Sequence, residues 1–328
     1  MSKKGIFEES KYLDPKYSSL DGYVLRAFKG FWTPARYERG MKEDAKVVNR
    51  KMSFIDRSFV KKNILCVAMI EDKVKSYWPT VGLKFPQTVI SDVGCMFGMV
   101  ETVHRRSYHS LNTEMGVDPS EANEHPVLRD RLDYLTKHSQ DIKGITGRKK
   151  VLKDLILFTS LVEKGALFSY FYNLMSYANA NKGLETIYAL QKTTSCEEEE
   201  HFSFGIELIN FVKKDYPELW DEELIELIKK DIDKAFQVEL RIVDWLIEDG
   251  CPDHISREEM VNFVKHNFST ITKALNLDME FDVDMDMYFD RSFWMEVAQN
   301  SREPDFFAKQ VGDYSFEEEE VDIDEFNF

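Results

Sequence analysis

The sequence predicts an all-α protein built from long helices. Glycine and proline are scarce, at 15 and 9 of 328 residues, and such a composition favours helices over turn-dense sheets. From about residue 42 onward, apolar residues recur at helical spacing. Several of these segments are too long and too evenly apolar to be surface helices, so we expect them to be the central members of a helical bundle.

Each helix is bounded by a break at glycine or proline, as at Pro79, Pro217 and Gly250. We predict helices near residues 42–54, 57–78, 86–115, 126–140, 148–179, 183–214, 219–249 and 256–276, with one more short helix within 278–300. Residues 1–40 are mixed and aromatic and are expected to form an irregular arm lying on the core. Residues 41–303 are expected to form the helical domain. Residues 304–328 are expected to be a flexible acidic tail that orders on binding a partner.

Charge and cysteine usage exclude several classes of protein. A formal charge of −16 does not suit nucleic acid, whose phosphates need a basic surface. The sequence has neither an apolar signal core at the N-terminus nor an uncharged run of about 18 residues, so no membrane segment is expected. The four cysteines are widely spaced and fit neither a zinc site nor a disulfide framework. We therefore expect a soluble cytoplasmic protein.

Two acids occupy helical positions where the pattern calls for apolar residues. Glu71 lies in a stripe formed by Ile64, Val67, Val74 and Trp78, whereas its neighbour Asp72 points away from that stripe. Glu163 lies in an equivalent stripe of the segment 148–179. Burying a carboxylate without a partner costs several kcal/mol, so such a position indicates a pairing cation or a metal ion.

Two further helices carry a Glu-x-x-His motif. Glu101, His104 and Tyr108 stand at i, i+3 and i+7, and Glu198 and His201 repeat the first two positions. Each motif alone is weak, because an acid three residues before a histidine also arises by chance. A single buried acid is likewise more often salt-bridged than metal-bound.

The combination is far more specific. Four helices in the order acid, Glu-x-x-His, acid, Glu-x-x-His supply the ligand set of the ferritin-like dinuclear carboxylate bundle. The sequence therefore predicts a ferritin-like helical bundle with extra helices and a dinuclear site in its core. Four carboxylates and two imidazoles suit two ions of iron or manganese.

The run VETVHRRSYHSL, with its Glu-x-x-His-x-x-x-Tyr pattern, resembles the radical-generating small subunit of class I ribonucleotide reductase. FWTP at 31–34, the pair Glu198 and His201, and the acidic tail extend the resemblance over most of the chain. The resemblance implies two metal ions held by two sets of ligands, with some carboxylates bridging. These sets are Glu71, Glu101 and His104, and Glu163, Glu198 and His201.

The same resemblance implies a radical route. Tyr108 would hold the radical, Trp32 would begin its transfer, and Tyr314 in the tail would relay it to the large subunit. Glu197 matches an acid beside the ligand glutamate, and Phe326 and Phe328 would anchor the tail. The family further implies a homodimer whose dimetal centre activates oxygen. A separate large subunit then uses the radical to reduce ribonucleotides to deoxyribonucleotides and supplies the nucleotide sites, in keeping with the absence of a Gly-rich phosphate loop here.

Two positions depart from the family pattern. Glu71 stands where the family often has aspartate, which leaves the choice between iron and manganese open. The neighbourhood expected around Tyr108, made of Leu167, Phe171 and Thr194, is more polar than a fully apolar pocket.

Two alternatives remain open at this stage. One is a ferritin-like dimetal oxidase or oxygenase acting directly on a small substrate such as a fatty acid. The other is a metal-storage or structural bundle without enzymatic activity. The acidic tail favours the reductase over both, because neither alternative needs a docking tail.

Overall fold

The computed structural model describes residues 5–10, 12–74, 76–118, 120, 125–135 and 143–289. Within these ranges every regular element is helical, which confirms the predicted all-α class. The helices are α1 (Asp21–Gly30), α2 (Ala35–Arg50), α3 (Phe54–Val74), α4 (Val81–Lys84), α5 (Thr88–Met115), α6 (Pro126–Leu135), α7 (Gly144–Ile156), a π-helical segment (Leu157–Ala166), α8 (Leu167–Asn179), α9 (Glu185–Asp215), α10 (Glu222–Leu246), α11 (Arg257–Leu275) and α12 (Met285–Phe289). Short 3-10 turns occupy Pro15–Leu20, Trp78–Thr80 and Pro217–Leu219.

The prediction of an irregular arm over residues 1–40 is wrong for most of that range. A 3-10 turn and α1 lie within it, and α2 begins at Ala35 rather than near residue 42. The aromatic residues explain this order, because Tyr17 and Tyr23 are buried against the bundle and their hydroxyls reach Asp215 and Glu207 of α9. The division of the chain at residues 40 and 303 stays a prediction, and residues 304–328 lie outside the described ranges.

The centre of the bundle is formed by α3, α5, α9 and the continuous helical run of α7, the π-helical segment and α8. Helix α3 packs on α5 and α8, and α9 packs on α8 and on the π-helical segment. Their facing sides form one continuous apolar core. This packing turns the four faces that carry Glu71, Glu101, Glu163 and Glu198 toward one another. No helix of the described residues is long and apolar enough to cross a membrane.

The predicted helix 148–179 is interrupted at its middle. Residues Leu157–Ala166 wind as a π-helix, and Glu163 lies inside that segment. A π-helical turn holds more residues than an α-helical turn and changes the direction in which its side chains point; such turns often occur at functional sites. Phe158 to Ala166 are all buried, so packing on every side stabilises this unusual winding.

Two glycines of α5 allow a close approach to the turn after α3. A Cβ atom at Gly94 would lie 2.5 Å from the carbonyl oxygen of Trp78, and one at Gly98 would lie 2.4 Å from Cγ of Pro79. A larger residue at either position would push the turn outward. The two glycines therefore fix the place of Trp78, which reaches the buried site described below.

Candidate metal centre

All six predicted ligands meet in the core of the bundle. They are contributed by α3, α5, the π-helical segment and α9, and none is more than 1% exposed. The ligand atoms form two groups, and within each group they lie within 4.8 Å of one another. The first group is Glu71, Glu101, His104 and Glu198, and the second is Glu101, Glu163, Glu198 and His201.

The first group surrounds Nδ1 of His104. This nitrogen lies 3.0 Å from Oε1 of Glu198 and 3.7 Å from Oε2 of both Glu71 and Glu101. The i, i+3 step on α5 places Glu101 and His104 one turn apart on the same face.

The second group surrounds Nδ1 of His201. This nitrogen lies 2.8 Å from Oε2 of Glu198, 3.0 Å from Oε1 of Glu101 and 3.8 Å from Oε1 of Glu163. Glu101 and Glu198 each turn one oxygen toward one histidine and the other oxygen toward the second. The two groups therefore share two carboxylates, in the arrangement that bridging ligands require.

The chemistry of the cluster fits a pair of metal ions. Several of its buried oxygens have no hydrogen-bond partner among the described residues, namely both oxygens of Glu71, Oε2 of Glu101 and Oε2 of Glu163. Buried polar atoms are normally paired, so a set of orphaned lone pairs facing one volume indicates a bound cation. Carboxylate oxygens with two imidazole nitrogens suit iron and manganese.

Burial and crowding shift the protonation of the metal-free cluster. Burial raises the pKa of Glu71 and of Glu163 well above the ordinary carboxyl value. Burial alone would lower the pKa of His201, but the Glu198 and Glu101 carboxylates outweigh it and raise that pKa to about 9. These shifts favour the protonated forms of Glu71, Glu163 and His201, and a metal ion bound at these side chains would displace those protons.

A hydrogen-bonded chain runs from the first group toward α1 and α2. Nε2 of His104 lies 2.7 Å from Oε2 of Glu197, and Nε1 of Trp32 donates to both oxygens of Glu197 at 3.0 Å. All three side chains are buried. Because a carboxylate only accepts, Nε2 of His104 carries a proton, and Nδ1 is the nitrogen that faces the cluster.

Trp78 supports the second group. Its Nε1 donates a 2.9 Å hydrogen bond to Oε1 of Glu163. The sequence pattern had placed Trp78 only in the apolar stripe of the second helix, because nothing local marks an indole as the partner of a residue 85 positions away.

Tyr108 is fully buried one turn beyond His104. Its hydroxyl donates a 2.8 Å hydrogen bond to Oε1 of Gln191 and lies 3.4 Å from Oγ1 of Thr194. Thr194 was expected near Tyr108, whereas Gln191 was missed. Its signal was present, because residues 191, 194, 198 and 201 recur at i, i+3, i+7 and i+10 on one face of α9.

The remaining predicted residues fall outside the described ranges. These are Tyr314, Phe326 and Phe328, all in the tail. The four cysteines, Cys66, Cys95, Cys196 and Cys251, are free thiols.

Comparison with known proteins assigns the family. Residues 10–287 match the family described as ribonucleotide reductase, small chain. A ribonucleoside-diphosphate reductase subunit beta from Chlamydia pneumoniae is 25% identical over 232 residues, which cover 65% of this chain and 63% of that protein. The match thus spans less than two thirds of the relative's length. The chain belongs to the ribonucleotide reductase small chain family.

Solved structures agree on the fold. The ribonucleotide reductase R2 subunit from Clostridium botulinum superposes with a TM-score of 0.75 at 14% identity, covering 88% of this chain and 93% of that one. An R2-like ligand-binding oxidase with a reconstituted Mn/Fe cofactor superposes with a TM-score of 0.62 at 15% identity, covering 80% and 94%. The ferritin-like bundle predicted from the sequence is confirmed.

Proposed function

We propose that this chain is the radical-generating subunit of a ribonucleoside-diphosphate reductase. Two metal ions, iron or manganese, activate oxygen, and the resulting radical is passed to a large subunit that reduces ribonucleotides to deoxyribonucleotides. The observation that carries the proposal is the buried chain Trp32–Glu197–His104, because it connects the cluster with α1 and α2 through hydrogen bonds alone. A storage bundle has no use for such a chain.

The six buried ligands have distinct parts in this proposal. Glu71 and His104 would hold one ion and Glu163 and His201 the other, with Glu101 and Glu198 placed to contribute to both. When bound, the metal pair supplies the one-electron oxidising power that no protein side chain has. The surrounding core keeps bulk water away from the site, which protects it from side reactions.

Two side chains of this protein carry the radical in turn, first Tyr108 and then Trp32. The Tyr108 hydroxyl gives up one electron and one proton to become the phenoxyl radical, and burial protects that radical from solvent. Trp32 stands at the far end of the hydrogen-bonded series His104–Glu197–Trp32. It is the next group to be oxidised as the radical moves toward the partner subunit. Glu197 keeps the proton on Nε2 of His104 and orients the indole N–H of Trp32.

The size of the pocket that reaches His201 favours this function over direct oxidation of a small substrate in that pocket. One pocket reaches His201 between α1, α5 and α9, and Tyr23, Phe97 and Glu200 lie among its walls. It has room for about one water molecule at a time. Oxygen fits there, whereas a fatty acid does not.

The test is electron paramagnetic resonance after loading with metal and exposure to oxygen. The native chain should give a tyrosyl signal that Tyr108→Phe abolishes. Tyr177→Phe is the matched control, since Tyr177 is equally buried but donates to Asp56, away from the cluster, and its variant should keep the signal. An unchanged signal in Tyr108→Phe would rule out Tyr108 as the radical site.

The partners are proposed with the function. A homodimer would bind the large subunit through residues 304–328, with Tyr314 relaying the radical and Phe326 and Phe328 anchoring the tail. Removing residues 310–328 should abolish reductase activity with the large subunit and leave metal content and the tyrosyl signal unchanged. Activity that survives this truncation would refute docking through the tail. A cytoplasmic location belongs to the same proposal, in keeping with the four free thiols.

A further inference from the structure

The hydrogen-bond partner of Tyr108 is an amide side chain. The Tyr108 hydroxyl donates to Oε1 of Gln191 at 2.8 Å, and both side chains are fully buried. Thr194 lies at 3.4 Å, which makes it the weaker contact. Gln191 therefore decides the orientation of the phenol O–H bond.

The amide nitrogen of Gln191 makes no such contact. Nε2 of Gln191 is buried and has no hydrogen-bond partner among the described residues. A buried, unpaired N–H₂ group costs free energy, so its presence calls for an explanation. An amide carries an acceptor and a donor on the same carbon, and rotation about its terminal torsion exchanges the two.

We propose that Gln191 is a positioning residue that accepts a hydrogen bond from the reduced phenol of Tyr108 and donates one to the oxidised phenoxyl. This inference rests on the proposed function of Tyr108. On oxidation the phenol O–H bond breaks; the oxidised metal pair would take up the electron, and a basic oxygen bound to that pair would take up the proton. The proton does not go to Gln191, because an amide oxygen is far too weak a base.

After loss of the phenol proton, the oxygen of Tyr108 can only accept a hydrogen bond, so Gln191 must become the donor. Two oxygens then face each other at hydrogen-bonding distance with no proton between them. Rotation of the amide turns Nε2–H toward the phenoxyl oxygen, which stabilises the radical and gives the unpaired N–H₂ group its partner. The same side chain thus serves both oxidation states without a backbone movement.

The experiment uses the full chain, loaded with metal and exposed to oxygen in D₂O. Electron–nuclear double resonance measures the coupling of exchangeable deuterons to the radical, and high-field spectra measure its g-values. The native chain should show one exchangeable deuteron, carried by Nε2 of Gln191 and hydrogen-bonded to the phenoxyl oxygen. Gln191→Met, similar in size but unable to donate, should lose that coupling, raise the largest g-value and shorten the radical's half-life about fivefold, the effect of one hydrogen bond.

Thr193→Val is the matched control. Thr193 neighbours Thr194 on α9 but bonds Tyr37 instead of Tyr108, so its variant should keep the deuteron coupling. A second measurement needs no substitution: native protein labelled with amide-¹⁵N glutamine should show a ¹⁵N coupling to the radical.

The outcomes separate the two proposals. A Tyr108 radical that keeps its deuteron coupling in Gln191→Met, or that shows no ¹⁵N coupling in the labelled native chain, overturns the role of Gln191 alone. Absence of any tyrosyl radical from the native chain overturns the proposed function together with this inference.

Discussion

Trp78 donates a 2.9 Å hydrogen bond from Nε1 to Oε1 of Glu163, and both side chains are inaccessible to solvent. Replacing Trp78 with phenylalanine keeps most of the packing but leaves that oxygen without its donor. Partners that orient metal ligands are commonly worth a factor of about 10–100 in metal affinity. We therefore expect Trp78→Phe to weaken binding of one of the two ions by about that factor, measured by calorimetric titration of the metal-free protein.

The control for that change is Trp220→Phe, since Trp220 packs against Lys213 near the end of α9 and not against the cluster. It should bind both ions as tightly as the native chain. Equal affinities for Trp78→Phe and the native protein would mean that the hydrogen bond does not orient Glu163.

We predict that Glu71 strengthens metal binding but lowers the stability of the fold when no metal is bound. Burial raises its pKa well above the ordinary value, so at pH 8 folding carries the cost of a buried acid. Glu71→Gln removes the charge at nearly constant shape. We expect the metal-free variant to melt higher than the metal-free native chain, by about 1–2 °C for each kcal/mol of burial cost that the substitution removes.

The stabilisation gained on adding metal should be smaller in Glu71→Gln than in the native chain. Manganese at 100 times its dissociation constant stabilises the native chain by about 2.7 kcal/mol for one site. Glu71→Gln should show a much smaller shift in melting temperature on adding manganese. Asp72→Asn changes the exposed neighbour and should match the native protein in both measurements. A native-sized shift in Glu71→Gln would show that Glu71 is not a ligand.

Helices α6 and α10 are joined by a buried and an exposed ion pair, which allows a matched comparison. Arg131 contacts both oxygens of Glu239 at 2.6 Å in the core, whereas Arg241 and Asp130 pair at 2.7 Å on the surface. Arg131→Met leaves the Glu239 charge buried without its guanidinium and should destabilise the fold by about 3–5 kcal/mol. Arg241→Met should cost less than about 1 kcal/mol.

Urea unfolding of the metal-loaded chain measures both changes. The double variant Arg131→Met with Glu239→Leu should regain more than half of the lost stability, because no lone charge remains in the core. If it were as unstable as Arg131→Met, the loss would come from packing instead of the buried Glu239 charge left without its guanidinium.

We predict that His266 makes the free energy of unfolding fall in weak acid. Burial, reinforced by Lys164 and Lys273, lowers its pKa from 6.5 to about 4, and its ring stacks on Tyr288 at 3.8 Å. Between pH 6.5 and about 4 the unfolded chain therefore binds more protons at this residue than the folded chain, and stability falls as the pH falls through that window. Above pH 6.5 the residue contributes no pH dependence.

His266→Phe keeps the stacked ring and removes the titration. Its unfolding free energy should decline less steeply than that of the native chain from pH 6.5 to 4, as measured by urea unfolding at each pH. His109→Phe alters an exposed histidine and should keep the native slope. Parallel slopes for the native chain and His266→Phe would exclude His266 as the source.

The ligand helices were predictable because helical periodicity is a local property. Glu71 and Glu163 stood out as acids in apolar stripes, and the core of the bundle is where those stripes meet. The π-helical winding around Glu163 was not predictable, since packing on all sides stabilises it against the ordinary helix. The contacts of Tyr108 with Gln191 and of Trp78 with Glu163 join residues more than 80 positions apart, so they depend on how the helices pack.

The two carboxylates common to both ligand groups make the binding of one ion depend on the other. In the proposed site, the first ion to bind would displace a proton from the cluster and would fix Glu101 and Glu198 in place, so the second ion would meet ligands that are already ordered. Loading should therefore be cooperative, with few molecules holding a single ion. The same coupling means that a wrong ion in one position alters the affinity and selectivity of the other, and the order in which metals are supplied becomes part of how the active protein is assembled.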